Sequence, residues 1–98
     1  MGGDFQPMGQ INVVVNRYIY GMDLQAGLDF PRLFPQGQAV LTESTVPAVV
    51  LAALAAKGHR IMPANEPLGG GQAIVIDHAR GLLIGGSDHR KDGFALGY

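Results

Sequence analysis

Residues 8–20 carry apolar residues at Met8, Ile11, Val14, Val15, Tyr18 and Ile19, a rhythm of threes and ones that lays them on one face of a helix. The β-branched run Val13-Val14-Val15 leans toward strand. Apolar–polar alternation fails across the window, however, and Gly21 suits the left-handed position just past a helix end. Asp23 predicts an N-cap for a short helix to about Phe30, and Pro31 stops it, because the residue before a proline disfavours helical backbone. Leu33 to Gln38, punctuated by Pro35 and Gly37, reads as loop. Ala39 to Glu43 reads as strand, with Ser44 or Thr45 capping the next helix and Pro47 in its first turn, where a missing N–H costs nothing.

Residues 47–57, PAVVLAALAAK, are the clearest helix, alanine-rich, with Lys57 at the C-terminal end and Gly58 beyond it. So few polar residues interrupt it that it is expected to be covered on more than one side. His59 to Ala64 returns as an extended segment. Gly69-Gly70-Gly71 then leads into QAIVID at 72–77 and LLIGG at 82–86, two apolar runs joined by HARG, which predicts a β-hairpin. Residues 87–98 read as loop and tail. The order helix, helix, strand, helix, strand, hairpin predicts an α+β fold with about three helices and a partly antiparallel sheet, as a single domain over residues 1–98.

Composition sharpens this picture in one respect. The hydrophobic fraction is 47% and the charged fraction 15%, a charge-poor balance for a chain of 98 residues with little interior, so an apolar surface that meets a partner is expected. That partner is either a second copy or further chain. A formal charge of -1 gives no electrostatic case for nucleic acid or for an anionic membrane surface. The absence of cysteine excludes disulfides and thiolate metal sites and leaves the compartment open. No apolar run approaches the roughly 18 residues of a membrane span, and the first residues carry no basic stretch followed by an apolar segment, so no signal peptide is expected in them.

Candidate chemistry is sparse. Gly69-Gly70-Gly71 lacks the preceding strand and the following Lys-Ser/Thr of a phosphate loop and reads as a turn or bulge. His59, His78 and His89 have no metal-ligand spacing, and neither a metal nor a cofactor is expected. Ser44 reads as a cap or strand-end residue and Ser87 as loop, and neither sits in a nucleophile-elbow sequence. Asp88, His89, Arg90, Lys91 and Asp92 are either a solvated charged loop or an ion-pair network that pins the tail, with Arg32 a further candidate for such pairing. The most unusual feature is Gly2-Gly3 directly ahead of the first helix, because a loose chain end has no need of backbone freedom.

These residues, taken in order, resemble one family. Gly2-Gly3 before a helix, YGMDLQAGLDFPRL at 20–33, KGHR at 57–60, GGQAIVID at 70–77 and GGSDHRKDGFALGY at 85–98 resemble the C-terminal part of the small subunit of γ-glutamyltranspeptidases. Where the family's tail often reads Asp-Pro-Arg, this chain has Asp88-His89-Arg90.

The resemblance implies an αββα sandwich of the N-terminal-nucleophile hydrolases. It also implies a self-cleaving precursor whose new N-terminal threonine moves γ-glutamyl groups from glutathione-like amides to water or an amino acid. It makes Gly2 and Gly3 backbone N–H donors of the oxyanion hole. Thr42 and Thr45 are the only threonines and neither fits the nucleophile. The partners implied are the remainder of the small subunit and the large subunit, and these 98 residues alone are expected to be inactive. The competing reading is a non-enzymatic structural or interaction module that self-associates through its apolar helix.

Overall fold

A computed structural model of the chain describes residues 3–98. A 3-10 turn, Gly3–Phe5, runs into α1 (Gln6–Tyr18) and α2 (Leu24–Asp29). Then come β1 (Leu33–Gln36), β2 (Ala39–Thr42), α3 (Ala48–Ala56), β3 (Arg60–Pro63), β4 (Gln72–Asp77) and β5 (Leu82–Ser87). The chain divides into two compact units, Met1–Phe30 with Gly69–Tyr98, and Pro31–Leu68.

In the first unit the predicted helix boundaries have the expected causes. Gly21 takes φ +69° past α1, and Asp23 sits in extended backbone with its carboxylate accepting from the Ala26 N–H at 2.7 Å. Phe30, with ψ 138°, has left the helical region ahead of Pro31. The hairpin pairs antiparallel from Gln72↔Ser87 to Asp77↔Leu82, and Gly81 closes its turn with φ +63°. α2 packs on β5 so tightly that a Cβ on Gly86 would stand 2.8 Å from Leu28 Cδ1. Leu24 and Leu28 are buried there and form the core of this unit with Phe5. Ile74, Ile76 and Leu83 face outward, 59–72% exposed, and make an exposed apolar wall on one side of the hairpin.

In α1 the buried residues are Gly9 and Asn16, on the stripe that begins with Phe5 in the preceding turn. The larger apolar residues of the predicted face, Ile11, Val14, Tyr18 and Ile19, lie outward at 55–73% exposure. The helix is where the periodicity puts it. The side it turns to its neighbour is chosen by close approach to α2, which small and hydrogen-bonding residues permit.

In the second unit β1 and β2 pair antiparallel, and β2 and β3 pair parallel across α3. Leu33–Gln36 is therefore a strand and not the predicted loop. Pro35 is tolerated because β1 is an edge strand of this sheet among the described residues, paired with β2. Ser44 and Thr45 do not cap α3. They occupy a turn closed by the Val46 N–H to Glu43 carbonyl bond at 3.1 Å, so the helix begins after Pro47, which stands in the N-cap position itself. Gly58 ends α3 with φ +93°. α3 has no buried residue and Val49 is 75% exposed, so the cover expected from its composition is not supplied within residues 3–98.

Candidate oxyanion site

Gly3 opens the 3-10 turn at φ +48°, a left-handed conformation that favours glycine, and nothing lies within 4 Å of where its Cβ would be. Gly2, the other predicted donor, lies outside the described residues. The turn passes into α1 at Phe5, whose backbone is helical and which makes no side-chain cap. Pro7 in the first helical turn contributes no N–H. The positive end of a 13-residue helix therefore stands behind Gly3, with Asp4 as the acidic residue in the turn. Exposed amides at such an end can receive a developing negative charge, provided that the turn is held still.

Two attachments hold it. Phe5, 3% exposed, anchors the turn. Further along α1, Asn16 is 6% exposed and donates from Nδ2 to the Gly27 carbonyl of α2 at 3.3 Å. Arg17 Nη1 donates to the Met22 carbonyl at 3.2 Å and tightens the α1–α2 link.

The charged tail does not behave as a solvated loop. Asp88 is 1% exposed, with its carboxylate accepting from the Gly71 N–H at 3.1 Å, the Arg90 N–H at 3.0 Å and Arg90 Nη1 at 3.0 Å. Its own N–H donates to the Gly71 carbonyl at 3.0 Å. Arg90 also donates to the Leu28 and Phe30 carbonyls, at 2.8 and 2.9 Å, taking up acceptors at the end of α2. Lys91 lies where a Cβ on Gly70 would be, which accounts for glycine there by close approach. Ser87 is the last residue of β5 and not loop, and the Gln25 side-chain amide pairs with its carbonyl at 2.8 Å and its N–H at 3.2 Å.

His89 Nδ1 lies 2.9 Å from Asp29 Oδ1. Burial pushes the Asp29 carboxyl up, but hydrogen bonds from His89 and Gln25, helped by the charge of His89, outweigh it and hold the pKa below the ordinary value of 3.8. A carboxyl lowered by folding contributes stability above its unfolded pKa, and that contribution is lost as the pH falls through the folded value. His89→Ala is expected to move the Asp29 titration upward, as read by carboxyl NMR, and to weaken the acid-side stability difference between the native and unfolded chain.

The other histidines do not converge on a site: His59 and His78 are exposed, and the His59 N–H caps the Leu54 carbonyl at 3.2 Å. No group of three metal-ligating side chains occurs among the described residues. A concavity of about 1120 Å³, walled by Gln72, Ile74, Leu83, Phe94 and Leu96, lies between the hairpin and the tail and does not include Gly3. In the second unit, Arg32 is 2% exposed and donates from Nη1 to the Leu68 carbonyl at 2.9 Å. Glu43 accepts from the N–H groups of Arg32 and Leu68, at 2.9 and 3.3 Å, and the three residues fasten the two ends of that unit. The sequence marks Arg32 and the tail cluster as candidates for pairing. It gives no sign of Asn16, Gln25 and Glu43, which have no charge run or motif around them.

Three helices with partly antiparallel strands make this an α+β fold. It matches the crystal structure of a cephalosporin acylase from Bacillus halodurans with a TM-score of 0.89 and 36% identity, over 100% of this chain and 19% of that one. The fold is that of the N-terminal-nucleophile hydrolases. The gamma-glutamyltranspeptidase family profile matches residues 1–98, and the chain belongs to that family. A glutathione hydrolase proenzyme of Bacillus subtilis (strain 168) is 34% identical over 80% of this chain. The acylase ACY 1 proenzyme of Pseudomonas sp. (strain SE83) is 31% identical over 85% of it. The chain spans only 14% and 15% of the lengths of those two relatives.

Proposed function

We propose that these residues are the C-terminal portion of an enzyme that transfers or hydrolyses γ-glutamyl groups of glutathione-like amides. Its nucleophilic threonine, the rest of the small subunit and the large subunit belong to other parts of the same protein. The role of this portion is to present the N–H groups of Gly2 and Gly3 to the oxyanion of the tetrahedral intermediate. One such donor is worth about 2.7–4 kcal/mol of transition-state stabilisation. The observation that carries the reading is the family match across residues 1–98, supported by Gly3 at φ +48° ahead of a helix that no side chain caps at Phe5. The uncovered faces of α1 and of the hairpin are then surfaces that the rest of the enzyme covers.

The relatives carry two kinds of name, glutathione hydrolase and acylase, so the test sets two substrates side by side. The intact precursor, after self-cleavage, is given a chromogenic γ-glutamyl anilide and an acylated cephalosporin. Preferential release of the aniline, with no turnover by the 98 residues alone, is the expected result. Preference for the cephalosporin moves the reading to an acylase. Turnover by the isolated chain overturns the dependence on other residues. A chain that is silent in every context and forms a stable dimer by sedimentation favours the self-associating module.

A further inference from the structure

The buried stripe of α1 carries a polar residue where an apolar one would bury more surface. Gly9 and Asn16 lie 4 and 11 residues beyond Phe5. At about 100° per residue these separations fall within roughly 40° of one line along the helix. Asn16 is 6% exposed and donates to the carbonyl of Gly27. Gly27 lies among the last four residues of α2, so its carbonyl has no partner within its own helix. The contact is close: a Cβ on Gly27 would stand 3.5 Å from Asn16 Cβ. The Asn16 carbonyl also accepts from the Met22 N–H at 3.0 Å, so both its side chain and its backbone tie the residue to the segment beyond α1.

Apolar packing alone lets one helix slide or roll on another at small cost, because one methyl contact replaces another. A single buried hydrogen bond does not, and a lone polar residue at a helix contact is a well-attested device for fixing register. We propose that Asn16 is a positioning residue that sets the axial and rotational register of α1, and thereby where the N–H of Gly3 points. Gly3 lies about 20 Å from Asn16 along the helix. A rigid helix carries a shift at one end to the other, and a donor displaced by a fraction of an ångström no longer meets the oxyanion. Misplacement of about 1 Å by a remote change can cost on the order of a hundredfold in rate. The inference rests on the oxyanion reading of Gly3 given above.

The test uses the intact, self-cleaved enzyme and the γ-glutamyl anilide, with Gly3→Pro, Asn16→Leu and Asn16→Asp. Asn16→Leu keeps the branching at Cγ and loses the donor. The expected result is a fall in kcat of roughly tenfold or more with KM held within about twofold and the melting temperature nearly unchanged. A kcat within about twofold of wild type overturns the proposal when Gly3→Pro is strongly impaired in the same assay. If Gly3→Pro is itself as active as wild type, it is the oxyanion reading that has failed. Should Asn16→Leu not fold, Asn16→Asp, which keeps the shape and replaces the donor by a carboxylate oxygen facing the Gly27 carbonyl, is read in the same way. Failure of both to fold makes Asn16 a folding residue and likewise overturns the proposal.

Discussion

Gly3→Pro in the intact enzyme is expected to lower kcat by about 10²–10³-fold while leaving KM near its wild-type value, measured by steady-state release of aniline from a γ-glutamyl anilide. The magnitude is that of a removed oxyanion donor, about 2.7–4 kcal/mol. The asymmetry between kcat and KM arises because the bond strengthens only as charge develops on the carbonyl oxygen. Proline also cannot adopt the φ of +48° found at Gly3. Gly3→Ala separates the two effects. It keeps the N–H, its Cβ meets nothing within 4 Å, and its main cost is about 1–2 kcal/mol of left-handed strain. A loss for alanine as deep as for proline would mean that backbone geometry, and not the donor, is what glycine supplies here.

The sequence was most informative where local chemistry decides the outcome. Asp23 reads as an N-cap because a carboxylate two or three residues ahead of free N–H groups has one good use, and it caps Ala26. The hairpin is legible because each run is long enough to bury one face and the turn ends in Gly81. Legibility stops where a neighbour decides. Leu33–Gln36 contains a proline and becomes a strand only because β2 offers it a partner. The face of α1 was misleading in the same way, since the large apolar residues of the predicted stripe lie outward, whereas Gly9 and Asn16 are buried and Asn16 meets Gly27 of α2.

The tail shows a third limit. Charge-rich stretches are usually solvated, and nothing in the order Asp88-His89-Arg90 distinguishes a loop from a clasp. What distinguishes them is that Leu28, Phe30 and Gly71, distant in sequence, present backbone groups at one place that Asp88 and Arg90 bond. The candidate site is legible only through the family resemblance. Two glycines ahead of a helix have no spacing rule of their own, and Asn16 is one asparagine among ordinary helix residues.

The second large effect expected is on stability, at that clasp. Arg90→Met should destabilise the native chain by about 3–5 kcal/mol in urea unfolding, because it takes the guanidinium charge away from a buried carboxylate. The Asp88 and Arg90 side chains are 0% and 4% exposed and 3.0 Å apart, so neither charge has water to fall back on. Asp88 would retain the N–H groups of Gly71 and of residue 90, but the carbonyls of Leu28 and Phe30 would lose their guanidinium donor. Asp88→Asn alone should also be costly, since it removes the carboxylate charge beside the buried Arg90 guanidinium. The double change Asp88→Asn with Arg90→Met should cost less than the sum of the two single changes, with a coupling of about 0.5–3 kcal/mol. A pair on the surface would behave otherwise, with single changes below about 1 kcal/mol and no coupling. That result would return residues 88–90 to the status of a solvated tail. A cost near the upper end would consume a large part of the 5–15 kcal/mol typical of a whole domain, leaving the packing of Leu24 and Leu28 on β5 and the Gln25–Ser87 bonds to hold α2 on the hairpin.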